Sequence, residues 1–169
     1  MEITLAQLLE SRDARQLRQI QLTRRFPGRQ LICLTVVLPG PVKRDARSLK
    51  VAHAGVEAVR HAFTPVYEEL HDLETGYEGY FIVEGNLLDV KKVCCGIEND
   101  HPFGRLMDLD VLEPSGDSVA PVSRDRVGEP PRRCLVCDRP ARECMRARLH
   151  SFGEIVQTID KIIGIAENP

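Results

Sequence analysis

The sequence has few aromatic residues and no long apolar run. Aromatic residues make up 5% of the 169 positions and tryptophan is absent, so the core must be built from leucine, isoleucine, valine and alanine. No apolar stretch approaches the roughly 20 residues that a membrane-spanning helix needs, so we expect no membrane partner. The first residues lack a basic segment followed by a long apolar stretch, so we expect no secretory signal and a cytoplasmic location.

The sequence also lacks a strong charge of either sign. A net charge of −2 at pH 7 argues against non-specific nucleic-acid binding by the whole molecule, and we expect no nucleic-acid partner. This weak net charge leaves room for a local basic pocket. The glycine-rich loops of P-loop and Rossmann proteins are missing, and so is the Gly-x-Ser-x-Gly motif of serine hydrolases. These three classes of enzyme therefore have no support.

The length fits one domain, residues 1–169, with a sizeable core. Apolar spacing and capping residues predict helices after Thr4, from Asp13 to about Phe26, from Asp45 to about Phe63, from Leu87 to Ile97 and after Ser151. Apolar runs predict strands at Gln30–Leu38, Val66–Glu74, Tyr77–Glu84 and around Asp108.

Helices and strands are mixed without strict alternation along the chain. This order predicts an α+β domain whose mixed or antiparallel sheet is packed by helices. We expect Ser11-Arg12-Asp13 to break or re-cap the first helical stretch. Residues 118–131 are rich in polar residues and proline, and we expect them to form a loop.

The segment from His101 to Val111 carries the strongest functional signal. Asp108 and Asp110 alternate with apolar residues, so in a β-strand both carboxylates point to one face, roughly 7 Å apart. Two such carboxylates repel each other unless a cation lies between them, and their oxygens suit magnesium, which also binds substrate phosphates. We therefore predict that this pair holds magnesium for chemistry at a phosphate. A pair of solvated aspartates is the plainer interpretation.

Basic residues and one glycine are candidates for holding that phosphate. Arg105 is suited to phosphate and directly precedes the aspartate strand, so we predict that it acts in catalysis with the two aspartates. Adjacent arginines on a proline-stiffened loop are suited to clamping phosphates, although two solvated arginines would give the same pattern. The residues that we predict to bind substrate are Lys43, His101, Gly104, Arg132 and Arg133.

Four of the cysteine and histidine residues are spaced as metal ligands. In a cytoplasmic protein, cysteines are thiols or metal ligands more often than disulfides. The pattern C-x2-C-x6-C-x5-H between residues 130 and 150 predicts a Cys/His-rich element with a structural zinc site, formed by Cys134, Cys137, Cys144 and His150. Small buried thiols without a metal are the alternative. A redox pair is disfavoured because no βαβ pattern surrounds it.

These segments, in this order, resemble the apo-citrate lyase phosphoribosyl-dephospho-CoA transferase family, also called the holo-citrate lyase synthases. The resemblance extends from about residue 4 to residue 165. The segments that carry it are Ser11-Arg12-Asp13 with Arg15 and Gln16, Pro39 to Lys43, His101 to Val111, and Pro131 to Cys137 with Cys144 and His150.

The resemblance implies a concrete reaction. The donor is 2'-(5''-triphosphoribosyl)-3'-dephospho-CoA, the acceptor is a serine of the acyl carrier protein subunit of citrate lyase, and pyrophosphate is released. The aspartate pair is similar to the magnesium-binding pair of nucleotidyltransferases, which implies a nucleotidyltransferase-like core. The pattern departs from those enzymes in one respect, because Arg105 rather than a serine follows Gly104, and no third carboxylate can be placed.

Two other functions fit the same residues. One is a related prosthetic-group transferase that serves another carrier protein, such as that of malonate decarboxylase. The other is a non-catalytic zinc-binding module that contacts a partner through its arginines. Stoichiometric zinc without magnesium-dependent transfer would favour the module.

Overall fold

Strand β1, Gln30–Val36, lies at the centre of the sheet, as its continuous apolar sequence predicts. In the computed structural model, which describes residues 1–164, the five strands have the order β2-β3-β1-β4-β5 and every pairing is antiparallel. The strands are β1 (Gln30–Val36), β2 (Tyr67–Leu73), β3 (Gly76–Val83), β4 (Met107–Ser115) and β5 (Ser118–Pro121). The predicted α+β domain is confirmed, with an antiparallel rather than a mixed sheet.

Five α-helices accompany the sheet within residues 1–164. They are α1 (Leu5–Arg25), α2 (Ala46–Phe63), α3 (Leu87–Asp100), α4 (Ala141–Ala147) and α5 (Phe152–Ile163). Capping boxes at Thr4 and Ser151 start α1 and α5 as the sequence predicts, and the Asp45 side chain caps α2. No helix in this described part of the chain is long and apolar enough to cross a membrane.

The two faces of the sheet are covered differently. Helices α2, α3 and α5 pack on one face, where Leu34, Leu109 and Val111 belong to the larger apolar core. Helix α1 lies across the other face, and its Leu22 joins a smaller core beneath its second half. The first half of α1 meets polar side chains of the sheet instead. This polar face is therefore where the fold leaves room for a site.

Two expectations for the secondary structure were wrong. Ser11-Arg12-Asp13 does not break α1, because the Ser11 hydroxyl bonds the Thr75 hydroxyl at 2.8 Å instead of capping a new helix. Residues 118–131 are not all loop, since the hairpin turn at Gly116 lets β5 pair with the end of β4. The same stretch contains the short 3₁₀ turn Arg124–Val127, and helix α4 was not anticipated.

Candidate active site

Asp108 and Asp110 lie on the polar face of β4, as the alternation predicts. Met107, Leu109 and Val111 are fully buried in the core behind them. Both aspartates are half-buried, and 40% of the Asp108 side chain is exposed. The carboxylates therefore face the side of the sheet that α1 only partly covers.

A third carboxylate, Glu78, lies on the same face of the sheet. In the sheet, Asp108 of β4 lies opposite Thr35 of β1, and Thr35 lies opposite Glu78 of β3. Glu78 is therefore two strands away from Asp108, a distance of about 10 Å. Glu78 accepts hydrogen bonds from Arg15 Nε at 2.9 Å and from the Tyr80 hydroxyl at 2.5 Å. Sequence reasoning missed this carboxylate, although its strand was predicted. Its negative charge is neutralised inside the protein.

Asp110 is held in an environment that disfavours its charge. Burial raises the pKa of Asp110 to about 6, and the neighbouring Asp108 carboxylate adds to the effect. The positive charges of Lys91 and Arg132 act in the opposite direction without cancelling it. The aspartate pair therefore carries incompletely compensated negative charge, which a divalent cation would compensate.

Charged side chains of α3 support the outer edge of β4 beside the aspartates. The Leu109 N–H donates to Glu98 Oε1 at 2.8 Å, and Lys91 Nζ donates to the Leu109 carbonyl at 3.4 Å. Arg124 Nη1 in turn donates to Glu98 Oε2 at 2.5 Å. Both α3 residues are buried. The Lys91 and Glu98 side chains therefore satisfy the N–H and carbonyl of Leu109, which lies beyond the residues of β4 that pair with β5. They hold in place the strand that carries Asp108 and Asp110.

The sequence offered one signal for this support. Lys91 and Glu98 are seven positions apart, so they lie on the same side of a helix. That side also carries the buried Val90 and Cys94. Charged residues within an apolar helical stripe need a buried partner, and here the partner is the unpaired edge of β4.

Arg132 is brought directly to the aspartates. Its Nη1 donates to Asp108 Oδ1 at 3.2 Å, and its Nη2 donates to the carbonyls of Gly104 at 3.4 Å and Met107. The side chain therefore joins the loop before α4 to the first residues of β4. Arg132, which we predicted from the sequence to bind substrate, thus lies beside the Asp108 carboxylate.

The other residues at the start of β4 have structural partners. The Arg105 guanidinium donates to the Cys134 carbonyl. A Cβ atom on Gly104 would lie 2.5 Å from the carbonyl oxygens of both Ile97 and Glu98. Close contact with the end of α3 therefore requires glycine at position 104, and the predicted substrate contact of Gly104 stays a prediction.

The remaining predicted substrate contacts are spread around this end of the sheet. Lys43 Nζ donates to the Leu38 carbonyl at 2.6 Å, and burial lowers the Lys43 pKa, with the Arg12 charge contributing. His101 Nδ1 accepts the Phe103 N–H at 2.9 Å, so one ring nitrogen already has a partner within its turn. Arg133 lies on the surface, with 72% of its side chain exposed. Their predicted roles stay predictions.

A cavity of about 550 Å³ adjoins the polar face between α1 and strands β2 and β3. Polar side chains from all three elements line it, including the ion pair of Arg15 with Glu78. The Arg18 side chain donates to Glu69, also in the lining, and lowers the pKa of this glutamate to about 2. The cavity is therefore lined by both apolar and polar side chains, and two ion pairs, Arg15 with Glu78 and Arg18 with Glu69, lie in its lining.

The four predicted zinc ligands come together next to the aspartate strand. Their ligand atoms all lie within 4.8 Å of one another. Cys134 and Cys137 lie in the turn before α4, Cys144 lies within α4, and His150 precedes α5. The predicted Cys/His-rich element is thus a real structural unit of residues 130–150.

Comparison with known proteins identifies the protein as a transferase. The model of the family described as apo-citrate lyase phosphoribosyl-dephospho-CoA transferase matches residues 3–165. The chain therefore belongs to this family, as the sequence motifs predicted.

Individual relatives agree with the family match. A protein of Streptococcus pyogenes serotype M18, named a probable apo-citrate lyase phosphoribosyl-dephospho-CoA transferase, is 37% identical over 164 residues, which cover 95% of this chain and 85% of the relative. The apo-citrate lyase phosphoribosyl-dephospho-CoA transferase of Escherichia coli O1:K1 is 33% identical over 166 residues, covering 95% of this chain and 88% of the relative. The similarity thus includes both the aspartate strand and the Cys/His-rich element.

Proposed function

We propose that the protein attaches the triphosphoribosyl-dephospho-CoA prosthetic group to a serine of the acyl carrier protein subunit of citrate lyase, in the cytoplasm. The observation that supports this proposal is the pair Asp108 and Asp110 on the polar face of β4, with Arg132 bonded to one of them. Family membership supplies the donor and the acceptor. The pair supplies a place where a phosphate can react.

The reaction is a displacement at phosphorus. The serine oxygen of the carrier protein bonds to the α-phosphorus of the donor triphosphate, the bond from that phosphorus to the bridging oxygen breaks, and pyrophosphate leaves. The serine proton passes to a base, and the carrier is joined to its prosthetic group through a phosphodiester. Positioning and charge neutralisation supply most of the catalysis in such reactions.

The residues present fit a magnesium ion at the aspartate pair. Carboxylate oxygens are the ligands that magnesium prefers, and both carboxylates lie on one face of β4, where burial and then the neighbouring Asp108 charge raise the pKa of Asp110. Bound magnesium supplies polarisation of the attacked phosphate and charge neutralisation for the leaving pyrophosphate. Asp108 and Asp110 would hold it, each through a carboxylate oxygen.

The basic side chains around the pair have complementary tasks. Arg132 uses part of its guanidinium on Asp108 and on backbone carbonyls, which fixes its plane beside the aspartates for a phosphate oxygen. Lys43 donates one hydrogen to a carbonyl and keeps two for a phosphate. We assign acceptance of the serine proton to the aspartate pair.

The cavity under α1 offers space for the rest of the donor. It shares the polar face with the aspartates, and its lining includes Arg15 and Glu78, which lie two strands from Asp108. Hydroxyl and amide groups of a nucleotide can be recognised there by polar side chains such as Arg15 and Glu78. We assign the dephospho-CoA portion of the donor to this cavity.

The test is attachment itself. Purified protein is incubated with the apo carrier subunit of citrate lyase, the triphosphoribosyl donor and magnesium. The carrier should gain the mass of the phosphoribosyl-dephospho-CoA group, and one pyrophosphate should appear for each carrier modified. A carrier whose acceptor serine is changed to alanine is the control and should gain no mass. A mass gain on the malonate decarboxylase carrier, with none on the citrate lyase carrier, would contradict the proposal.

A further inference from the structure

The Cys/His cluster, defined as Cys134, Cys137, Cys144 and His150, brings together four ligand atoms at distances close to those of a tetrahedral metal site. Zinc bonds to sulfur at about 2.3 Å, so two sulfurs of one tetrahedral site lie about 3.8 Å apart. In the structure, Sγ of Cys137 and Sγ of Cys144 are 3.5 Å apart, and no pair of ligand atoms exceeds 4.8 Å. A shift of a few tenths of an ångström per atom would complete a zinc site.

The histidine of the cluster provides independent evidence. His150 Nε2 is buried and has no hydrogen-bond partner among the residues that the structure describes. An unsatisfied buried polar nitrogen destabilises the folded state, and native structures contain few of them. Because the His150 ring lies with three cysteine sulfurs, a metal ion is a partner that would satisfy these four groups together.

The backbone around the cluster is arranged to present the sulfurs. The Cys134 N–H donates to the Arg139 carbonyl at 2.8 Å, which closes the turn that holds Cys134 and Cys137. The Val136 N–H points at Cys134 Sγ at 3.5 Å. N–H groups directed at a sulfur stabilise a thiolate, the form that binds metals. The turn therefore positions two sulfurs before α4 adds the third.

We propose that the Cys/His cluster binds one structural zinc ion. Three sulfurs and one imidazole nitrogen fill a tetrahedral coordination sphere and leave no open position for substrate or water. The ion therefore takes no part in the transfer chemistry. Its role is to hold the turn, α4 and the segment before α5 together, since the short helix α4 cannot bury enough apolar surface to fix itself.

The Cys/His-rich element also forms hydrogen bonds with residues of the proposed active site. The Cys134 carbonyl accepts from Arg105, and the Ala141 N–H donates to the Arg132 carbonyl at 2.8 Å. Zinc thus positions Arg132 against Asp108 through the backbone on both sides of the turn. This consequence for activity rests on the proposed function, whereas zinc binding does not.

Metal analysis of the full-length protein, purified under reducing conditions, tests zinc binding without any assay of activity. We expect one zinc per chain. The Cys137→Ser and His150→Ala variants should lose most of it, whereas Cys95→Ala should keep it, because Cys95 is buried in α3 outside the cluster. Wild-type protein exchanged with cobalt should show the visible absorption of a tetrahedral cobalt–thiolate site, so the test stands even if a variant fails to fold.

Two results would overturn the zinc site. One is reduced wild-type protein that stays free of zinc and cobalt after incubation with either metal. The other is a native mass two hydrogens lower than that of the reduced chain, which would show a disulfide between Cys137 and Cys144 instead. The role of zinc in positioning Arg132 has a separate test. If zinc binds but the losses of transfer rate caused by Arg132→Ala and Cys137→Ser multiply in the double variant, the two residues act independently. The positioning role would then be wrong, and the zinc site would stand.

Discussion

The guanidinium of Arg132 donates to the Asp108 carboxylate at 3.2 Å, across 24 residues of sequence. This contact joins the loop ahead of the Cys/His cluster to the strand that carries the aspartate pair. It places a positive charge beside two carboxylates, one of which is partly buried. A phosphate that meets a cation at this pair would therefore find a guanidinium at its side.

Replacement of Arg132 by alanine should lower kcat/KM for prosthetic-group transfer by about 10²–10³-fold, the loss typical of a single group that stabilises transition-state charge. Pyrophosphate release at several donor concentrations measures the effect. Arg146→Ala is the matched control, because it removes one exposed arginine from helix α4. If both variants lose activity equally, general positive charge rather than the Arg132 contact is responsible.

The ionised Asp110 side chain should lower the free energy of unfolding at neutral pH, because its carboxylate is partly buried. Its folded pKa is about 6, whereas an unfolded aspartate has a pKa of about 3.9. The folded state therefore binds the proton more tightly, and stability falls as the pH rises from about 4 to about 6. Asp110→Asn removes this cost and should stabilise the protein by about 1–3 kcal/mol at pH 7.5.

Denaturant unfolding of wild type and Asp110→Asn across this pH range checks the sign. The stability difference should be greatest above pH 7 and should shrink towards pH 4. Magnesium should raise the melting temperature of the wild type at neutral pH more than that of the variant, since the ion binds only the native site. A difference that does not change with pH would show that the charge of Asp110 is not its cause.

The buried ion pair of Arg124 with Glu98 should be essential for stability. Arg124→Met removes the ion-pair partner of the buried Glu98 carboxylate and should cost about 3–5 kcal/mol of unfolding free energy. Arg126→Met is the matched control, because Arg126 pairs with Glu113 at the surface. Exposed pairs contribute about 0–1 kcal/mol. Equal losses in the two variants would refute the distinction.

Two glycines of the same region should respond to alanine in opposite directions. Gly104→Ala places a methyl group 2.5 Å from two carbonyl oxygens and should destabilise the protein by about 1–3 kcal/mol. Gly96→Ala, in helix α3, meets nothing within 4 Å and should stabilise it by about 0.5–1 kcal/mol. Thermal unfolding measures both. A neutral Gly104→Ala variant would mean that the turn can move away from α3.

Local patterns predicted the elements that carry the site. The alternation around Asp108 fixed the facing of both carboxylates, and the capping residues Thr4, Asp45 and Ser151 marked three helix starts correctly. The break at Ser11-Arg12-Asp13 was predicted wrongly, because the partner that occupies the Ser11 hydroxyl lies 64 positions further along the chain.

Contacts between distant segments account for what the sequence could not show. The pairing of Glu98 with the edge of β4 depends on how far β5 extends, and no local pattern specifies that. Glu78 belongs to the site face only because β3 pairs with β1. The Cys/His cluster, in contrast, could be predicted from the spacing of its four ligands. These ligands are close together in the sequence, so their convergence does not depend on contacts between distant segments.

The most direct test of the central claim is magnesium-dependent transfer by Asp108→Asn. Asparagine preserves the shape of the side chain and removes the charge, so folding can be verified by an unchanged circular dichroism spectrum. The account predicts that wild type modifies the carrier only with magnesium present, and that the variant's rate is at least about 10²-fold lower at saturating magnesium. A folded Asp108→Asn protein that modifies the citrate lyase carrier at the wild-type rate would contradict the account.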